Sequence, residues 1–308
     1  MNSSKKGLAI FLSILFLCGV VALFSMGTAM DGMTEAGDKI AVIKIEGTIS
    51  ADDGYAYNQQ WLLNTIEEVT NDGNYQGILL YMNTPGGSVY ETDQVYLKLK
   101  NCQEETNKPI YVSMGPMCAS GGYYIASAAD EIYANRNALT GSIGIIMGSS
   151  IDLTQFLERY GIKVTTITAG ANKNMFSFDE PVTEEQKAIM QSVADEAYDQ
   201  FTQIIAQERQ MDINQVVALA DGRIYTAKQA KDNGLIDGIA DYEETKAIMA
   251  QDLQLQDPAF HVFQYEPPFS WWNGLLMQTP LGQAKQEEGL IKQVLMPLIS
   301  GPAYYYGW

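Results

Sequence analysis

"GILLYMNTPGGSVYETDQVYLKLKNC", residues 77–102, holds a whole structural unit in one stretch. Residues 77–83 are a short apolar run bounded by turn residues, which reads as a buried strand. "TPGGS" at 84–88 is turn chemistry. Residues 89–102 place Val89, Val95, Tyr96 and Leu99 on or near one face of a helix. Strand, tight turn and helix repeated in this order predict an α/β domain with largely parallel strands.

The rhythm continues outward on both sides. "KIAVIKIEGTI" (39–49) is a β-branched strand, and "NQQWLLNTIEEVTND" (58–72) a helix with Leu62, Leu63, Ile66 and Val69 inward. "KPIYVSM" (108–114) and "DEIYAN" (130–135) are further strands. Downstream, "DLTQFLERYG" (152–161) is a short helix closed by Gly161, and "IKVTTITAG" (162–170) predicts a strand. Residues 183–210 form a long helix opened by a capping-box pair, Thr183 and Gln186. Its expected inner stripe is Ile189, Val193, Ala197, Phe201 and Ile204. "AKQAKDNGLID" (227–237) is a helix ended at Gly234. No fixed-period repeat occurs. From about residue 256 the chain turns Pro- and aromatic-rich, with Trp271, Trp272, Tyr304 to Tyr306 and Trp308; packing, membrane-interface contact and occupation of a groove are its alternative roles.

The chain has 308 residues, 46% of them hydrophobic, enough for one sizeable core or two small ones. Its net charge is −18, and beyond residue 30 it carries 17 basic against 37 acidic side chains. Such a surface repels a phosphate backbone, so nucleic acid is excluded as a partner. Lys5 and Lys6 precede an uncharged run from Gly7 to Met30. As a helix that run would span about 36 Å, enough to cross a bilayer. The lysines then keep the N-terminus cytoplasmic and put the rest outside. A signal peptide cleaved after Ala29 is the rival reading. Only Cys18, Cys102 and Cys118 occur, in no zinc-like spacing; Cys118 reads as a small packing residue rather than half of a Cys102–Cys118 bridge.

Two stretches pair glycines with a serine at a strand end: "NTPGGS" (83–88) and "ASGG" (119–122). Acyl-bond hydrolysis needs a nucleophile and backbone N–H groups that hold the developing oxyanion. Glycines after a strand let the backbone approach a substrate closely. Ser120, followed by the small and apolar "GGYYIASAA", reads as a nucleophile at a helix start. Its base is the question. The one histidine, His261, lies far off in the tail. A lysine serves when it is neutral near pH 7, which burial away from carboxylates achieves. Of the 15 lysines, Lys173 in "TAGANKNMFSF" stands among Gly, Ala, Asn, Met and Phe; Lys163 is the runner-up. A Ser-x-x-Lys spacing at Ser3–Lys6, before the apolar run, is a chance occurrence.

These stretches, with "TGSIGII" (140–146) and "GRIYTAKQAKDNGLIDGI" (222–239), give the chain its resemblance. Over residues 38–250 it resembles the signal peptide peptidase A family: short, membrane-anchored serine peptidases related to the Clp protease and crotonase folds, built as a repeated β-β-α superhelix. The chain has "NTPGG" where "NSPGG" is commoner in the family, and Ala227 where glycine is frequent. The resemblance implies Ser120 as nucleophile, Lys173 as general base and Ser142 as the serine that orients its amine. It implies Gly87 and Gly121 as the oxyanion hole, and no metal or cofactor. It also implies a ring of identical chains whose Ser and Lys meet across a boundary, acting on remnant signal peptides and other apolar peptides. The organisation expected is a cytoplasmic stub (1–6), a membrane anchor (7–30), a linker (31–38), a peptidase domain (39–255) and a tail (256–308). That places the catalytic domain on the outer side of the cell membrane. Rival functions are a crotonase-like acyl-CoA enzyme, disfavoured by export, and a non-catalytic membrane scaffold.

Overall fold

The computed structural model describes residues 38–267 and the backbone of Ala303–Tyr304. The expected membrane anchor at 7–30 and most of the aromatic tail lie outside the described residues. Among the described residues no helix is long and apolar enough to cross a membrane.

Strands β1 (Lys39–Glu46) and β2 (Tyr75–Thr84) run parallel, in register from Ile40 opposite Gly77 to Glu46 opposite Asn83. Their residues alternate between two cores. Ala41, Ile43 and Ile45 face one cluster with Leu80, Met82 and Phe201; Ile40 and Val42 face the other with Leu79, Tyr111 and Met249. Side-chain period two explains the split, and coverage of both faces explains why the strands read as nearly continuous apolar runs. Helix α1 (Gln59–Asn71) crosses between them, capped by the Asn58 side chain, which accepts the Trp61 N–H at 2.9 Å.

After β2 the chain makes a two-residue strand, β3 (Gly87–Ser88), and enters α2 (Val89–Thr106), which stops at Asn107 in the left-handed region. The return strand, β4 (Ile110–Ala119), is tied down at its start. The buried Lys108 ammonium donates to the Val69, Thr70 and Asp72 carbonyls, at 2.6, 3.0 and 2.9 Å, satisfying orphan acceptors at the end of α1.

β4 has two neighbours on one edge. Tyr111–Met114 pairs with β5 (Glu131–Ala134), and Met117–Ala119 with β6 (Leu139–Gly141). On its other edge Met82 pairs with Met114 but Thr84 with Cys118, so β4 carries extra residues around Gly115 and Pro116. That bulge turns the end of β4 away from β5 and toward β6. β7 (Ile224–Thr226) closes antiparallel on β6, β8 (Gly238–Ile239) pairs with β5, and β9 (Ala259–Phe263) runs along the far edge of β1. The main path is β7-β6-β4-β2-β1-β9. The remaining helices are α3 (Gly121–Ala126), α4 (Thr154–Arg159), α5 (Glu184–Glu208), α6 (Ile213–Leu219), α7 (Ala227–Asp232) and α8 (Tyr242–Asp252). The architecture is thus an α/β sheet whose strands are parallel apart from the β6–β7 pair.

The structure departs from the expected pattern at 162–168 and along α5. Residues 162–168 form no strand and are exposed; this β-branched run pairs with no strand among the described residues. In α5 the capping box of Thr183 and Gln186 is present, but burial begins only at Phe201, Thr202 and Ile205; Val193 is 41% exposed. The amphipathic stripe is present, but among the described residues its first half is only partly covered. Cys102 and Cys118 are both buried and unpaired. In the tail, the backbone of β10 (Ala303–Tyr304) pairs antiparallel with β3, Ala303 opposite Ser88 and Tyr304 opposite Gly87.

Candidate active site

Ser120 stands where β4 hands over to α3, at φ 55° and ψ −119°. A non-glycine residue in that region costs about 1–3 kcal/mol and persists only where its surroundings hold it. They do so here from several sides. The Ser120 N–H donates to the Gly141 carbonyl at 2.7 Å, and its carbonyl accepts the Tyr124 N–H at 3.0 Å. Tyr123, wholly buried, donates its hydroxyl to the Leu235 carbonyl at 2.7 Å, and burial pushes that phenol upward. Arg209 steadies the same loop through the Gly234 carbonyl and a paired contact with Asp237 at 2.7 and 3.0 Å. Tyr124 donates to Asp93 at 2.5 Å, and Gln200 of α5 donates to both.

Within this frame the Ser120 hydroxyl is buried and finds no hydrogen-bond partner among the described residues. An unsatisfied buried hydroxyl on a strained backbone is a reserve of chemistry, because it costs stability without contributing any. The neighbouring thiol differs: burial pushes Cys118 far above the ordinary thiol range, which leaves it an inert packing group.

Gly87 sits beside Ile49. The Ile49 N–H donates to the Gly86 carbonyl at 3.0 Å, and the Ser88 N–H to the Ile49 carbonyl at 2.8 Å. A Cβ on Gly87 would lie 1.9 Å from that carbonyl oxygen, so only glycine fits. Since Gly86 and Ser88 turn their groups toward Ile49, the N–H and carbonyl of Gly87 point the opposite way, toward Tyr304 of β10. One edge of β3 is therefore built into the domain, and the other receives an extended backbone.

Ser142 follows β6. It is buried, sits at φ 50° and donates its N–H to the Arg223 carbonyl at 2.8 Å. Because Ala119 pairs with Gly141 and Thr84 with Cys118, the ends of β6, β4 and β2 bring Ser142, Ser120, Gly121 and Gly87 to one end of the sheet.

Lys173 is not among them in the single chain. It lies in a turn at 171–176, its N–H donating to the Gly170 carbonyl at 3.2 Å, and it is exposed. Its amine has no ion pair among the described residues; Asp179, the nearest acid in sequence, accepts the Ser177 hydroxyl instead. Lys163 belongs to the exposed run 162–168. His261, placed in the tail by composition, lies on β9 with its Nδ1 2.5 Å from the Tyr75 hydroxyl; β1 and β2 separate that strand from β4. No group of three metal-ligating side chains occurs among the described residues.

Sequence reasoning missed the residues that hold the serine and its loop: Tyr123, Tyr124 and Arg209. The signal for the first two was present, since paired tyrosines directly after Gly-Gly interrupt an otherwise small-residue run.

Comparison with known proteins shows which family the chain falls in. The profile of peptidase family S49 matches residues 102–256. A candidate signal peptide peptidase, SppA, of Enterococcus faecium is 32% identical over 288 residues, covering 87% of this chain and 81% of the relative. A candidate protease of Synechocystis is 34% identical over 69% of this chain and 74% of its own length. Protease 4 of Haemophilus influenzae is 32% identical over 84% of this chain but only 42% of its own length, so the relative is much the longer protein.

Proposed function

The chain belongs to peptidase family S49 and is a serine peptidase; on that premise we propose that it is a membrane-anchored endopeptidase that cleaves remnant signal peptides with a Ser120–Lys173 dyad. The observation that carries the reading is the Ser120 hydroxyl, buried and unpartnered on a strained backbone at the end of the sheet. Neutral Lys173 takes the Oγ proton as the oxygen attacks the peptide carbonyl. The Gly87 and Gly121 N–H groups hold the oxyanion, each such donor typically worth about 10²- to 10³-fold in rate. Lys173 then protonates the leaving amine. Water, deprotonated by the same amine, releases the acyl group and restores the serine. Ser142 orients the amine.

Lys173 is exposed in its own chain, so its shelter comes from a second copy. The segment carrying it supports this: Ile151, Phe156, Tyr160, Ile162, Ile167 and Phe178 are all exposed, a concentration of large apolar side chains within one short stretch of chain. Copies arranged in a ring would cover it and carry Lys173 to a neighbour's Ser120. The domain at 39–255 is the peptidase unit, and the apolar run 7–30 anchors it on the outer side of the cell membrane, where signal-peptide remnants arise. β3 receives the substrate backbone, as it receives β10 here.

The test is complementation. Ser120→Ala and Lys173→Ala chains are each inactive on an apolar peptide in detergent. Co-expressed and isolated as mixed oligomers, they regain activity. Mixed oligomers as inert as the parent variants would place the dyad within one chain or remove it altogether.

A further inference from the structure

Thr84 is the last residue of β2 and is fully buried. It touches both glycine turns. Its Oγ1 accepts the Gly86 N–H at 3.1 Å, which holds Gly86 at φ 98° and so sets the direction in which Gly87 leaves the strand. Its methyl lies against the other turn: a Cβ on Gly122 would come within 2.7 Å of Thr84 Cγ2 and 3.3 Å of the Thr84 carbonyl oxygen. The register pairs Thr84 with Cys118, two residues before Ser120. One side chain therefore braces the strand end that carries the Gly87 N–H against the helix start that carries the Gly121 N–H.

We propose that Thr84 is a positioning residue that sets the spacing between these two oxyanion donors, its hydroxyl fixing one and its methyl the other. The inference rests on the serine-peptidase site described above. Oxyanion stabilisation needs both donors about 2.7–3.1 Å from the place the developing charge will occupy. A hydroxyl bond and a methyl contact from one buried residue give that gap a fixed width, whereas the glycines themselves are free to take several conformations.

The test compares Thr84→Val, which keeps the shape and loses the acceptor, with Thr84→Ser, which keeps the acceptor and loses the methyl. Both are read on the full chain with an apolar peptide substrate and with a peptide aldehyde that forms a tetrahedral adduct. Thr84→Val lowers kcat roughly 10- to 100-fold, the range for a misplaced catalytic group, with KM within about twofold. The aldehyde loses affinity by a similar factor. Thr84→Ser falls only about threefold. Loss carried by KM, an unchanged kcat, or Thr84→Ser falling as far as Thr84→Val overturns the proposal.

A second pair guards against a folding failure. Gly122→Ala drives a methyl into Thr84 Cγ2, so Thr84→Ser/Gly122→Ala recovers kcat relative to Gly122→Ala alone. A double variant no better than the single one also overturns it. The Ser120→Ala control keeps the two ideas apart: if it cleaves as the parent does, the serine reading itself has failed.

Discussion

The backbone N–H of Ser120 donates to the carbonyl of Gly141 over 2.7 Å, joining the end of β4 to the end of β6. This bond does more than complete a ladder. Gly141 lies at φ 85°, and a Cβ there would come within 2.5 Å of the Tyr225 ring and 3.0 Å of the Arg223 carbonyl. Tyr225 is itself held, its hydroxyl donating to the Leu219 carbonyl at 2.8 Å. The serine is thus clamped through a glycine that has no room to be anything else.

Gly141→Ala should therefore lower both stability and activity. The left-handed backbone alone costs about 1–3 kcal/mol, and displacement of Tyr225 adds to it. Urea unfolding reads the first effect and kcat the second. An alanine variant with parental midpoint and kcat would show that the clamp is not needed.

Ser120→Ala should behave in the opposite way on stability. It removes a buried hydroxyl that has no partner among the described residues, a group whose desolvation costs about 1–3 kcal/mol. The inactive protein unfolds at the same or a higher urea concentration than the parent. A clear loss of stability would mean that the hydroxyl has a structural partner after all.

β10 pairs with β3, so if β3 receives substrate as proposed, the tail competes for the same edge. Tyr304→Pro removes the N–H that faces Gly87 and cannot continue the ladder. The account expects kcat/KM on an added peptide to rise severalfold, with the melting temperature of the domain unchanged. An unaltered kcat/KM would separate β10 from the catalytic cycle.

The strand–turn–helix units were legible because their information is local. Residues 77–102 carry strand, turn and helix patterns that need no distant partner, and Thr183 with Gln186 announces the start of α5 from four residues. The turn at Ser120 was legible for the same reason, since a serine before two glycines at the end of an apolar run marks the handover from β4 to α3. What failed depends on partners elsewhere. Residues 162–168 have strand composition but pair with no strand among the described residues, and the apolar stripe in the first half of α5 is only partly covered by them. Conversely, 259–263 looked like irregular tail yet completes the sheet, because β1 offers a free parallel edge and its backbone accepts almost any side chain. Thr84 was passed over as turn chemistry, since its two contacts lie on segments far apart in the chain.

Activation of Ser120 by Lys173 is read most simply with a fluorophosphonate probe on the assembled protein. The probe should label Ser120, found by mass spectrometry of the modified peptide, and Lys173→Ala should abolish labelling. Labelling that survives Lys173→Ala, or that falls on another serine, would contradict it.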